Sequence, residues 1–293
     1  ILSHNARPIK SIYLELKNTF SHNWLPKKAN WSFEIFNGFI GNSHINSKSM
    51  LLGARATLSP IEGLDFEIIQ TSQWGGEGYE NGINALGAAL FLDTNDKSNA
   101  NINKMAGFGV SYLTRNNLIP IRIYGQAVGE DEAGNLPSCY AYLAGIEYSN
   151  KKIKYPTTLG VEVVDTRIDT TSHGNCGPNT FYNNSVYDYS NHGVTLGSAI
   201  DTEGISIEFF GQSQISQKFN IQYSTKAVII NDKNWSNHRL SSNRESGLIN
   251  SLGIFSTKNN LTLNGNVYYQ NFILNKTNIK DGYGIMLSSS IRF

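Results

Sequence analysis

The sequence predicts an all-β fold, an antiparallel transmembrane β-barrel of outer-membrane type, on three observations. Polar and apolar residues alternate with a period of two along most of the chain, most alternating runs are 10 to 12 residues long, and the connections between them are by turns short and long. A period of two is the side-chain period of a strand. Ordinary strands run about 5–6 residues, whereas a tilted strand crossing a bilayer needs about 9–11. A water-soluble β-sandwich or solenoid also alternates, but it has no reason to keep its loops long on one side only.

Thirteen segments fit the template. From the N-terminus, 10–20 carries Glu15 and Lys17 among its polar positions, 31–41 carries Glu34, 49–58 Arg55 and 63–72 Glu67. Segment 104–114 comes next, then 119–129 with Arg122, 139–148 with Glu147, 157–168 with Glu162 and 204–213 with Glu208. In 219–231, Phe219, Ile221, Tyr223, Ala227 and Ile229 oppose Asn220, Gln222, Ser224 and Lys226. Segment 247–256 precedes 261–272, where Leu261, Leu263, Val267 and Tyr269 oppose Thr262, Asn264, Asn266 and Gln270. In 282–293 the apolar set is Tyr283, Ile285, Leu287, Ile291 and Phe293, against Ser288, Ser290 and Arg292.

Counted back from the C-terminus, connections 257–260, 214–218 and 149–156 are short, while 273–281, 232–246 and 169–203 are long. The rhythm continues to the N-terminus, with averages of about six and eighteen residues, the pattern of short periplasmic turns and long extracellular loops. A terminal Phe on an alternating strand resembles the end of bacterial outer-membrane barrels and places the C-terminus in the periplasm. Thirteen strands then put residue 1 outside, whereas single-chain bacterial barrels have an even number. Residues 1–293 therefore read as one barrel domain lacking N-terminal strands; 186–200 is where a further strand would sit if the count is short by one. Ile1-Leu2-Ser3-His4-Asn5 has neither an initiator Met nor the regions of a secretory signal.

Composition excludes other classes. Charged residues are 16%, below the usual quarter, and 35 Asn help to take their place, with mean hydropathy -0.30. Fourteen Phe, 15 Tyr and 4 Trp argue against disorder. A net charge of +1 argues against nucleic-acid binding through phosphate neutralisation. The longest apolar stretch, about Leu86 to Leu92, is too short for a transmembrane helix. More than eight strands leave a lumen that side chains alone do not fill. The inward polar residues carry both signs, which reads as a wet, salt-bridged interior rather than a selective field.

Gln73-Trp74-Gly75-Gly76-Glu77-Gly78, directly after an alternating segment, and Tyr187-Asp188-Tyr189-Ser190-Asn191-His192-Gly193-Val194-Thr195-Leu196-Gly197 resemble the capsule assembly protein Wzi family. That resemblance implies an outer-membrane barrel of eighteen strands with a periplasmic helical bundle, of which this chain is the C-terminal part. It also implies a lectin that attaches capsular polysaccharide to the cell surface, with lipid and lipopolysaccharide around the wall and no cofactor. The other reading is a passive or sugar-selective porin. A monomer is expected in either case.

Candidate glycan contacts fall in three long connections. Trp74, Glu77 and Tyr79 sit in a Gly-rich stretch where a ring stacks on sugar and glycines permit close approach; Trp74 also suits an aromatic girdle. Tyr187, Tyr189 and His192, with Tyr182, form a second patch, which in a long loop also reads as packing. Trp235, His238, Arg239 and Arg244 join a ring to cations suited to an acidic polymer, or form a solvated loop. Cys139 and Cys176 are placed to bridge the 130–138 and 169–203 connections; His173 with Cys176 is a poor zinc pair. Glu130-Asp131-Glu132 reads as a solvated acidic tip or a cation site. No Gly-x-Ser-x-Gly, His-Glu-x-x-His, phosphate loop or dinucleotide loop occurs, so no enzyme is expected.

Overall fold

The computed structural model of the chain describes residues 9–21, 29–41, 46–91, 102–114, 120–133, 136–150, 153–169, 176–258, 260–277 and 279–291, without the side chains of 131–133, 136 and 258. In chain order the elements are β1 (Lys10–Phe20), β2 (Ala29–Phe39), β3 (Met50–Ile61), β4 (Leu64–Trp74), α1 (Ile83–Phe91), β5 (Asn103–Leu113), β6 (Ile121–Ala133), β7 (Leu136–Asn150) and β8 (Thr157–Asp165). A two-residue hairpin follows, β9 (Ser190–Asn191) and β10 (Val194–Thr195). Then come β11 (Ile205–Ser216), β12 (Phe219–Ile230), β13 (Glu245–Lys258), β14 (Leu261–Gln270) and β15 (Gly282–Ile291).

All thirteen segments read from alternation are strands, and they pair in one sheet in the order β1 to β8, then β11 to β15. Each strand hydrogen-bonds its predecessor, so the chain meanders and each tight hairpin sets the register of the next pair. Region 186–200 holds only the β9–β10 hairpin, which pairs with itself. Connections 62–63 and 217–218 are two-residue turns on the short side and 259–260 is equally short in sequence, while 75–102, 166–204 and 231–244 are long. The expected long connection at 130–138 is a correction: β6 and β7 run on until only 134–135 separates them. The reason lies in what seizes those strand ends, described below.

By contact the chain forms two units, 1–112 with 125–143 and 165–203, and 113–124 with 144–164 and 204–293. In the first unit the apolar parity is bare over much of the sheet: Ile12 is 84% exposed and Ile68 68%. The second unit shows the same, with Leu287 at 79% and Ile285 at 72%. In a protein folded in water such a surface would be a large aggregation hazard; facing lipid it needs no cover.

The opposite parity carries the charges, and they pair. In the first unit Lys17 bonds Glu15 at 2.5 Å, and Arg55 lies 3.8 Å from Glu34 and 2.9 Å from Glu67. Gln126 Nε2 reaches Glu67 at 2.6 Å across Gly109, where a Cβ would stand 2.4 Å from that same carboxylate. In the second unit Arg122 pairs with Glu147 at 3.0 Å, Tyr124 donates to Glu162 at 2.9 Å and Lys226 pairs with Glu208 at 2.7 Å. These pairs are partly hydrated, so each contributes little alone; together they tie adjacent strands. Arg292 and Phe293 lie outside the described residues.

Glycines in the strands serve a packing rule. Phe36 lies over Gly53, Tyr223 over Gly211 and Tyr268 over Gly284, each directly opposite on the next strand. A ring fills the space a missing side chain leaves and shields the backbone. A Cβ at Gly53 would stand 2.2 Å from the Phe36 ring. Gly53→Val is expected to destabilise the barrel by about 1–3 kcal/mol. Gly53→Val/Phe36→Ala should recover part of that loss, as read by the temperature at which the folded band disappears on unheated gels. Additive losses would show that ring and glycine are not coupled.

Candidate functional site

Beyond β8, residues 176–203 fold back onto the charge-bearing face of the first unit. Phe181, Tyr182 and Tyr189 enter one core with Leu51, Ile69, Met105, Val128 and Ala141 from β3 to β7. Burying each such ring contributes about 1.5–3 kcal/mol. Tyr182 and Tyr189 stack with centroids 5.5 Å apart, and Phe181 tilts against Tyr182 at 4.3 Å.

That burial opposes backbone strain. Asn179, Tyr182, Tyr189, His192, Asp201 and Glu203 all have φ between 45° and 68°, the left-handed region that side chains disfavour. Polar contacts hold the path. The Glu203 carboxylate, fully buried, accepts from the amides of Asn179 at 2.9 Å and Ile168 at 3.3 Å. Thr166 Oγ1 donates to the Asp201 carbonyl at 2.6 Å, and Tyr182 Oη accepts from the Ser198 amide at 3.0 Å. Two ties run to the extended hairpin of β6 and β7: the Glu130 carboxylate accepts from the Tyr182 amide, and Cys139 is bridged to Cys176 with Cα atoms 5.2 Å apart. Closing a loop across a separation of 37 residues contributes about 4 kcal/mol in the chain-entropy account. The hairpin extends because the folded-back segment gives its ends something to bind.

The Gly-rich stretch after β4 is built with equal economy. Gly75, Gly76 and Gly78 have φ of 67°, 102° and 83°. Asn46 Nδ2 donates to the Gly75 carbonyl at 3.0 Å while its Oδ1 accepts from the Glu77 amide at 3.1 Å. Asn81 does the same for Gly76, accepting from its amide at 2.7 Å and donating to its carbonyl at 2.9 Å. The Ser47 hydroxyl donates to Glu77 at 2.6 Å, which, with Lys48 nearby, holds that exposed carboxyl below its ordinary range.

The two motifs picked out in the sequence meet here. Tyr187 Oη donates to the Gly75 carbonyl at 2.8 Å, and the Tyr189 amide donates to Gln73 Oε1 at 2.8 Å. Tyr189 Oη donates to Thr71 Oγ1 at 2.9 Å. The ring of Tyr79, half-exposed, leans on buried Tyr187 at 6.1 Å.

The second unit has its own built loop, 231–244. Asn231, buried with φ 54°, donates to the carbonyls of Trp235 at 3.0 Å and Ser241 at 2.9 Å and accepts from the Trp235 amide at 2.7 Å. His238 Nδ1 accepts from the Leu240 and Ser241 amides at 3.2 and 3.4 Å. Arg244 Nε pairs with Asp232 at 3.0 Å, and Asn275 links 271–281 to Ser242.

The candidate residues thus divide. Trp74, Tyr187, Tyr189 and His238 are buried and have no open ring face, a correction to their reading as glycan contacts; they hold the loops. Trp74 Nε1 donates to Asn37 at 3.1 Å. Glu77, His192 and Arg244 are exposed, and Tyr79, Trp235 and Arg239 half-exposed. The bridge closes from the 166–203 segment to β7 itself, which also removes Cys176 as a zinc ligand. His173 and the side chains of Asp131 and Glu132 lie outside the described residues, while the Glu130 carboxylate accepts from the Tyr182 amide. Sequence reasoning missed Asn46, Asn81, Asn231 and Glu203, the groups that shape the loops. For the three asparagines the signal was only the excess of Asn; Glu203 had none.

Gly76→Ala is expected to open the 73–81 loop to protease, since a Cβ there would stand 2.2 Å from Asn46 Oδ1 at φ 102°; Gly82→Ala, with nothing within 4 Å, should not. Burial also raises the Tyr182, Tyr187 and Tyr189 hydroxyls above their ordinary value. Folded pKa values above unfolded ones stabilise below about pH 10 and lose that contribution as pH rises further. Absorbance titration should find these phenols silent until the segment opens; free ionisation near pH 10 with the fold intact would contradict their burial.

Comparison with known proteins agrees with this architecture. The family description "Capsule assembly protein Wzi" matches residues 1–282. A solved structure described as an outer membrane protein involved in group 1 capsule assembly in Escherichia coli, a carbohydrate binding β-barrel, superposes with a TM-score of 0.72 at 24% identity, over 98% of this chain and 61% of that one. An uncharacterized 55.8 kDa protein in the cps region of Klebsiella pneumoniae is 31% identical over 146 residues, 49% of this chain and 29% of the relative. The chain therefore spans less than two thirds of either relative. With 282 of its 293 residues matched, this chain belongs to the capsule assembly protein Wzi family.

Proposed function

We propose that the protein is a polysaccharide-binding protein of the outer membrane that attaches capsular polysaccharide to the cell surface during capsule assembly, through its long connections and without turnover. The observation that carries this reading is the construction of those connections. They are held by buried rings, side-chain amides and a disulfide, and leave half-exposed rings and hydrogen-bonding groups at their surface. Such rigidity lowers the ordering cost of binding. The family membership and the carbohydrate binding described for the solved relative support it.

In this reading Tyr79 is the stacking ring of the first unit, propped by Tyr187, with Glu77 and His192 as hydrogen-bonding neighbours. Trp235 is the ring of the second unit, with Arg239 and Arg244 facing acidic sugars. Weak individual sites suffice because a repeating polymer engages many at once. Lipid and lipopolysaccharide surround the bare apolar face. A porin is the other reading; the cover that 176–203 lays over the charge-bearing face of β3 to β7 favours a binding protein.

Tyr79→Ala and Trp235→Ala are each expected to weaken retention of acidic capsular polysaccharide on immobilised protein by about tenfold, about 1.4 kcal/mol, while the gel-shift melting of the barrel stays unchanged. Planar-bilayer recordings should stay silent. Wild-type retention by both variants, with a steady current that oligosaccharide blocks, would overturn the lectin reading in favour of the porin.

A further inference from the structure

Helix α1 lies on the apolar face of the sheet, the face opposite the charges. Ala89 packs in a core with Met50, Leu52 and Trp74, and Ala85, Leu86 and Leu90 lean on the same group. The sheet there carries polar groups that a lipid-facing wall would not tolerate bare. The helix covers them and uses them: Gln70 Nε2 donates to the carbonyls of Ala89 at 3.0 Å and Leu90 at 3.1 Å, and Ser72 Oγ donates to Ala89 at 2.7 Å. The last carbonyls of a helix have no partner within it. Two polar wall residues and two helix carbonyls thus satisfy each other.

The outer side of the helix has no such explanation. Ile83, Gly87 and Phe91 recur every fourth residue and form one stripe. Ile83 is 78% exposed and Phe91 82%, and the space above Gly87 is open. From 81 to 92 the chain has no charged residue except beyond its end at Asp93. Exposed Asn84 is the one polar side chain among the nine helix residues; a helix washed by water on one face would carry more, and one this apolar is covered by protein or lipid. The same sheet face continues past the helix into Ile68 on β4 and Phe108 on β5, both bare.

We propose that α1 is a patch on the barrel's outer wall, with the Ile83–Gly87–Phe91 stripe seated among the acyl chains of the outer leaflet. It extends the lipid-facing surface over Gln70 and Ser72, where the strands themselves are too polar to meet lipid. The inference rests on the membrane reading given under the proposed function. Continuity with the bare wall is what selects lipid over a second copy or another protein.

Both cysteines are bridged, so a thiol introduced into the full-length chain is the one that takes a label. Phe91→Cys, carrying a nitroxide in phosphatidylcholine vesicles, is compared with Ile68→Cys on the wall and Asn237→Cys in the exposed 231–244 loop; Ile83→Cys repeats the measurement should Phe91→Cys fail to fold. The expected result is that dissolved oxygen relaxes Phe91→Cys more than a water-soluble nickel chelate does, as at Ile68→Cys. A response like that of Asn237→Cys, with Ile68→Cys still lipid-like, overturns the inference and leaves the barrel standing. Shielding from both agents means that protein covers the helix and also overturns it. If Ile68→Cys responds to the chelate, the membrane reading itself falls and takes the inference with it.

Discussion

Everything in this structure depends on the backbone's need for hydrogen-bond partners where water cannot supply them. A strand in lipid must find all its partners in neighbouring strands. The thirteen-strand meander answers that need by pairing each strand with its neighbours in chain order. Once the ladder is set, the period of two sorts every side chain to one of two faces. The exposure of Ile12, Ile68, Ile285 and Leu287 and the pairing of Arg55, Glu67, Arg122 and Lys226 are two results of one geometry.

The long connections meet the same need by different means. With no ladder of the main sheet to join, their amides and carbonyls are satisfied by side chains: Asn46 and Asn81 around Gly75 and Gly76, Glu203 at the end of 166–203, Asn231 in the second unit. An amide side chain offers donor and acceptor together, so one Asn can close a turn that would otherwise need two partners. Part of the excess of Asn in the composition thus serves the irregular stretches of the long connections. The tyrosines complete the arrangement by bringing apolar bulk with one hydroxyl, as Tyr187 does on Gly75 and Tyr189 on Thr71.

This division explains why the sites were only partly legible. Alternation locates strands because it is a local property, and all thirteen were readable. Burial of a loop ring is not local. Trp74 and Tyr187 look the same in sequence as Trp235 and Tyr79, yet the first pair supports and the second is open to solvent. What separates them is contact across 37 positions for Trp74 with Asn37 and 112 for Tyr187 with Gly75, which no window along the chain samples. The same holds for the β6–β7 hairpin: its residues read as a long loop, and only the bridge and the Glu130 contact to 166–203 turn them into extended strand.

By itself the sequence determined the strands, the two faces of the sheet and the side on which the long connections fall, since a period of two and the reach of a strand are written in consecutive residues. Tertiary structure decided which rings are structural, how the strained 166–203 path is held, and that the apolar run around Leu86 is a helix against the outside of the sheet. Those outcomes hang on partners far away in the chain, and the free energy that selects them comes from burial and hydrogen bonds that exist only once the strands have paired.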